Sequence, residues 1–137
     1  MKFVALLYGI LFFPTWALAL DKSQSVQVET LLKTTQSWDG KAIVLPKDQT
    51  EITALQIEIA PGGETGWHQH PVPSFAMVLE GSLEVQLKNG TKKTFQAGEA
   101  FAEVVDTLHN GHNFGKAPVK LIVFYTGIVG KPLTIKE

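Results

Sequence analysis

Four histidines occur in this 137-residue chain, and their spacing is suited to binding a metal ion. His68 and His70 are two residues apart, so on an extended segment both imidazoles point to the same side. A third nitrogen must come from another strand, and His109 or His112 can supply it. Neutral imidazole is a common ligand of zinc, iron, copper and nickel. By itself a His-x-His pair is also compatible with surface histidines or with a hydrogen-bonded core histidine.

Short strands separated by tight turns must position these side chains. Apolar residues alternate with polar ones over 53–59 and 83–87, which predicts strands with one face in a core. Asn89-Gly90, between the runs 83–87 and 91–97, predicts a hairpin. Further strands are expected over 26–37, 42–45, 75–80, 101–105 and 119–126. The tail, 130–137, is expected to pack loosely. Since no helical repeat follows the first 19 residues, the predicted fold class is all-β, a single small β-barrel or double-sheet jelly roll.

Composition limits the chemistry that this chain can perform. There is no Cys, so any metal must be bound by nitrogen and oxygen. The net charge is −1, and nothing favours binding to nucleic acid, which needs a basic face. All basic residues are Lys, so the chain lacks the planar fork with which Arg grips carboxylates and phosphates. The expected partner is therefore a small-molecule ligand or substrate, with a dedicated anionic one disfavoured.

The N-terminus has the pattern of a secretory signal peptide. Lys2 precedes an apolar run over 3–13, and Ala17-Leu18-Ala19 is a small-x-small cleavage signal. A retained membrane anchor is the alternative, but the run is shorter than the roughly 20 apolar residues that crossing a bilayer requires. We therefore expect a signal peptide over 1–19 and a mature domain over 20–137. The protein would be exported, periplasmic or secreted, with no membrane association after cleavage.

Two glycine-bounded motifs frame the histidines. The first has Gly62, five residues, His68, one residue, His70 and later Gly81, and the second has Gly98, ten residues, His109, three residues and Asn113. This arrangement resembles the two-part cupin signature, G-x5-H-x-H-x3,4-E-x6-G and G-x5-P-x-G-x2-H-x3-N. The resemblance implies a cupin barrel whose metal ligands are His68, His70 and His109. The stretches 66–73 and 78–81 also look like those of small single-domain bacterial cupins, which are often exported and generally of unassigned activity.

The chain departs from the signature at the position of the family's glutamate ligand, which is Ser74 here. One interpretation is a three-histidine site with open coordination positions, as the resemblance to thiol dioxygenases among the cupins implies. A second is that Glu64, Glu80 or Glu103 supplies the missing oxygen. Glu103 is the best placed of these, although we expect it to be a solvated charge at a strand end. A third is that the site has lost its metal affinity and the barrel only binds a ligand.

Other residues of the motifs are expected to have supporting roles. Val104 and Asp106 stand where the signature has Pro and Gly, which shape a turn. Asn113 is expected to bond the backbone near the His109 turn. His112 follows His109 by three residues, so on an extended segment its side chain would point to the opposite face. We expect His112 at the rim of the site, where it could act as a proton shuttle.

The predicted function is that of an exported cupin-barrel protein that binds a divalent transition metal through three histidines. The metal would be Fe, Mn, Zn or Ni, and the protein a metal-dependent oxygenase or isomerase of a small molecule. The alternative is a non-catalytic barrel that binds a small ligand or a metal. A homodimer is a further expectation, formed through an apolar edge strand over 26–33.

Overall fold

The computed structural model describes residues 25–137. Residues up to Thr30 belong to one unit of the chain and residues 31–137 to a second. The described part of the first unit, residues 25–30, contains no strand or helix. The predicted signal peptide, residues 1–19, lies outside the described residues and stays a prediction. Within residues 25–137, no helix has the length and apolar character that crossing a membrane requires.

Residues 31–137 fold into two antiparallel sheets, and this range contains no helix. The strands are β1 (Thr50–Ile59), β2 (His68–Gln69), β3 (Ser74–Glu80), β4 (Ser82–Leu87), β5 (Lys92–Gln96), β6 (Ala100–Ala102), β7 (His109–His112), β8 (Val119–Ile128) and β9 (Ile135–Lys136). One sheet has the order β1-β8-β3-β6 and the other the order β5-β4-β7-β2-β9. The predicted all-β class is confirmed, in its form of a double-sheet jelly roll, because no strand joins the two sheets into a closed barrel.

The hydrophobic core lies between the two sheets and follows from the alternation of the strands. In β4, Leu83, Val85 and Leu87 are buried while their neighbours are only partly so. Phe95 of β5 stacks on Phe101, which links the two sheets with ring centroids 3.6 Å apart. Because both sheets pack on this core, β2 and β7 are held in fixed positions. These strands carry His68 and His109.

Two turn positions of the motif differ in whether they require glycine. Gly81 has φ +80°, and a Cβ there would lie 2.9 Å from the carbonyl oxygen of Pro118, so the position requires glycine. Asp106, where the signature has Gly, also has a left-handed φ of 48°. Asp is one of the few residues that adopt this conformation readily. Its N–H donates to the His70 carbonyl at 2.9 Å, so the turn keeps its shape without a glycine.

Three expectations from the sequence are wrong. No strand forms over 26–37 or 42–45, where the only strand-like pairing is an isolated bridge between Gln36 and Ala42. Residues with strand propensity stay irregular here because no long strand of either sheet pairs with them. The tail is not loosely packed, since Ile135 and Lys136 pair with Gln69 and His68. The predicted hairpin at Asn89-Gly90 is confirmed, with β4 and β5 in antiparallel register around it.

Candidate metal centre

Three imidazoles converge where β2 and β7 lie side by side. His68 is directly opposite His109 in the strand register, and His70 follows β2 on the same side. The ring centroids are 4.3 Å apart for His68 and His109, 4.9 Å for His68 and His70, and 5.0 Å for His70 and His109. One ring nitrogen from each lies within 4.8 Å of the others. The structure thus brings together the three ligands that the motif predicts.

Each of these imidazoles is held by a backbone carbonyl at its Nδ1 atom. The contacts are His68 Nδ1 to Gly66 O at 2.7 Å, His70 Nδ1 to Leu133 O at 2.9 Å, and His109 Nδ1 to Thr107 O at 2.8 Å. A carbonyl oxygen only accepts hydrogen bonds, so each Nδ1 carries the proton and each Nε2 has a free lone pair. Anchoring of this kind fixes the ring orientation and makes the other nitrogen a better metal ligand.

Burial keeps these histidines neutral. Desolvation lowers the pKa of His70 to about 4, and it also lowers the pKa values of His68 and His109 below the ordinary 6.5. At neutral pH all three rings can therefore offer a lone pair. Nitrogens that share an ion at about 2.0–2.1 Å are separated by no more than roughly 4.2 Å. An ion would draw this cluster together by less than about 1 Å.

A carboxyl group adjoins the three imidazoles. Glu103 is only 7% exposed, and its Oε2 lies 3.9 Å from the Nε2 atom of His109. Desolvation raises its pKa to about 7, against an opposing effect of His68. The expectation of a solvated strand-end charge is therefore wrong. The sequence contains a signal for this burial. Glu103 follows the core residue Phe101 by two positions, so on an extended strand both side chains point to the same face.

The other two candidate acids lie away from the centre. Glu80 is exposed and pairs with Lys120, with 3.1 Å between Oε1 and Nζ. Glu64 is exposed and lies 3.2 Å from the Nδ1 atom of His112. The ring of His112 stacks on Phe114, with centroids 5.2 Å apart. As the alternation along β7 predicts, His112 is not part of the three-histidine cluster.

Two further motif residues have structural environments. Ser74 is 1% exposed, and its Oγ has no hydrogen-bond partner. Asn113 donates from Nδ2 to the carbonyl oxygens of Ile59 and Ala117, each at 2.9 Å. Its Oδ1 accepts from the N–H of Gly115 at 2.9 Å. Asn113 therefore bonds backbone groups, as expected from the motif.

The histidines and Glu103 line a small cavity of about 40 Å³ inside the jelly roll. Its other lining residues are mostly apolar: Ile57, Ile59, Thr65, Leu83, Val85, Gly111, Leu121, Val123 and Tyr125. Burial raises the pKa of Tyr125 to about 12, so its phenol stays protonated. A single water molecule needs roughly 10–15 Å³ of such cavity space, so the cavity has room for an ion with a few water-sized ligands. A wider open depression of about 390 Å³ beside Trp38 has no histidine in its described lining.

Comparison with known families gives one clear match. Residues 55–125, just over half of the chain, match the family model described as "Cupin domain". This range contains all three clustered histidines, Ser74 and Glu103. No curated protein matches the chain.

Solved structures with the same fold are numerous but distant. The chain is similar to an oxalate decarboxylase formate complex from Lactobacillus farciminis, with TM-score 0.55, 26% identity, 64% of this chain covered and 27% of that one. It is also similar to the DMSP lyase DddQ from Ruegeria pomeroyi DSS-3, with TM-score 0.54, 16% identity and coverages of 62% and 42%. A cupin domain from Bordetella pertussis Tohama I matches with TM-score 0.51, 18% identity and coverages of 70% and 98%. The chain thus spans less than half of the lyase and decarboxylase chains.

Proposed function

This chain belongs to the cupin family, and on that premise we propose that it is an exported protein that binds a divalent transition metal. Its ligands are the Nε2 atoms of His68, His70 and His109. The observation that carries the proposal is the convergence of three imidazoles, two buried and one partly buried, whose Nδ1 atoms all donate to backbone carbonyls. Nitrogen and oxygen donors of this kind suit Fe, Mn, Zn or Ni.

We propose further that the centre acts on a small molecule as a metal-dependent oxygenase or isomerase. When bound, the metal supplies Lewis-acid or oxygen-activating chemistry. The apolar wall, which includes Val85 and Leu121, limits the access of bulk water to the centre, and Glu103 is the one acidic side chain in the described part of the lining. The lining that the structure describes contains no Lys, which favours a neutral substrate or O₂ over an anion.

The alternative function is a non-catalytic barrel that binds a metal or a small ligand. The observation that favours it is the cavity volume of about 40 Å³, which leaves little space for a substrate beside an ion. Metal analysis followed by an oxygen-electrode screen separates the two functions. Metal-dependent O₂ consumption with any candidate substrate rules out the purely binding role. Protein purified without chelator or His tag that contains no stoichiometric metal rules out both metal-based functions.

Export and dimerisation remain proposals about the whole protein. Support for export comes from the pattern of residues 1–19, and mass spectrometry of the mature protein tests it, with Leu20 as the expected first residue. The edge strand expected to join two subunits is not formed over 26–33. A dimer would instead cover the outer face of β1 and β8, where Ile52 is 61% exposed and Phe124 is 45% exposed. A monomer in sedimentation measurements would count against it.

A further inference from the structure

One carboxyl oxygen of Glu103, Oε2, is buried beside the histidines without a hydrogen-bond partner, whereas Trp38 and the Val104 backbone interact with the rest of the carboxyl group. Its Oε2 atom is inaccessible to solvent and accepts no hydrogen bond. Buried polar groups are almost always hydrogen-bonded, and a buried charge is normally paired or bound to a metal. An unpartnered oxygen at this place therefore calls for an explanation other than packing.

Among the described residues, neither Lys nor Arg forms an ion pair with this carboxyl group. Within residues 25–137, its ion-pair contact is with His109, at 3.9 Å, and that histidine already donates its Nδ1 proton to Thr107. Neither Lys nor Arg is among the residues of the described range that line the cavity. An ion held by the three histidines would supply the positive charge that no Lys or Arg of the described residues supplies beside Oε2.

Glu103 lies directly across from Ser74, the position where the family places its glutamate. The N–H of Glu103 donates to the carbonyl oxygen of Ser74 at 2.9 Å, and Phe75 pairs with Ala102 in the adjacent register. Opposed residues of an antiparallel pair have Cβ atoms about 4.5–5.5 Å apart and project to the same face. Both side chains are buried, and that of Glu103 lines the cavity.

From this juxtaposition we infer that Glu103, on the neighbouring strand, supplies the carboxylate ligand of the metal centre. It takes the role of the family's glutamate, whose position in this chain is occupied by Ser74. The inference rests on the proposed metal-binding function. Two ligand atoms about 2.0–2.2 Å from one ion are separated by at most roughly 4.4 Å, so the 3.9 Å between Oε2 and the Nε2 of His109 fits a shared ion. The group of mutually close ligand atoms contains the three histidines without Glu103, so the carboxylate moves toward the ion when the metal binds. The centre then has three nitrogens and one oxygen, with the carboxylate entering from a different strand.

The test uses Co²⁺ as the probe, because its visible spectrum reports coordination as well as affinity. The full chain is compared with Glu103→Gln, with the control Glu64→Gln, and with the double variant Ser74→Glu/Glu103→Gln. Loss of an outer-shell partner typically weakens metal binding 10–100-fold, so we expect Glu103→Gln to weaken it by at least about 100-fold and to shift the Co²⁺ spectrum. The control should behave like wild type, since Glu64 is exposed and outside the cavity.

In the double variant, which places the carboxylate at the family's position, we expect affinity to recover at least about tenfold relative to Glu103→Gln. Glu103→Gln that binds Co²⁺ as tightly as wild type overturns the inference and leaves the three-histidine site standing. Weaker binding with an unchanged spectrum also overturns it, because the carboxylate then acts only through its charge. Wild-type protein that binds no Co²⁺ overturns the proposed function itself.

Discussion

Replacement of Glu103 by Gln should stabilise the metal-free protein at neutral and alkaline pH. Gln has nearly the same shape as Glu but does not titrate, so the variant removes the cost of a buried charge. The folded state raises the pKa of Glu103 from 4.5 to about 7. A group with a raised acid pKa binds its proton more tightly in the folded state, so its contribution to stability is present below about pH 4.5 and is lost as the pH rises through 7.

The magnitude follows from the size of this shift. A difference of about 2.5 pKa units corresponds to roughly 3 kcal/mol at 1.36 kcal/mol per unit. We therefore expect the free energy of unfolding of Glu103→Gln, minus that of wild type, to rise by up to about 3 kcal/mol between pH 4.5 and 8. His70 is common to both proteins and cancels in this difference, whereas His68 and Tyr125 interact with the Glu103 charge and add a smaller contribution.

Urea unfolding of chelator-treated protein at several pH values measures the difference directly. The Glu51→Gln variant is the matched control, because Glu51 is exposed on β1 and outside the cavity, so its replacement should change the free energy of unfolding by less than about 0.5 kcal/mol. A difference between Glu103→Gln and wild type that stays constant within about 0.5 kcal/mol from pH 4.5 to 8 would refute the reasoning. The carboxylate would then be as well solvated in the folded state as in the unfolded chain.

Three other predictions concern the centre, a turn and the core. Because burial raises the pKa of Glu103 to about 7, metal binding at pH 6 should release about one proton, and almost none at pH 8.5; calorimetry in buffers of different ionisation enthalpy measures this. Asp106→Val should lower the free energy of unfolding by about 1–2 kcal/mol, whereas Asp106→Gly should change it little, because φ of 48° is strained for a β-branched residue; equal effects in urea melts would contradict this. Val78→Ala should cost about 2 kcal/mol, since Val78 is fully buried between the sheets, and a loss below about 0.5 kcal/mol would show a looser core.

Local patterns in the sequence predict much of the fold. The alternation over 53–59 and 83–87 and the Asn89-Gly90 turn correspond to β1, β4 and the β4–β5 hairpin. These features depend on residues that are close together in the chain, so they can be predicted from local sequence patterns. The segment 26–37 has strand-forming residues but no strand partner, and propensity alone could not show this absence.

The site, like the fold, has some features that the sequence predicts and others that it does not. The spacing of His68 and His70, together with the motif around His109, is enough to predict their convergence. The hydrogen bond from His70 to Leu133 could not be predicted, because it depends on where the C-terminal tail lies. Burial of Glu103 depends on its register opposite Ser74, which is a contact between strands that are distant along the chain. Non-local pairing of this kind places Glu103 beside the three histidines.

The most direct test of the central claim is the metal content of the untagged protein, purified without chelator and measured by elemental analysis. We predict about one divalent transition metal ion per wild-type chain and almost none in His68→Ala, His70→Ala or His109→Ala. His112→Ala is the matched control and should keep its metal, since His112 lies outside the cluster. Absence of metal from the wild type, or equal loss in the His112 control, would contradict the three-histidine centre.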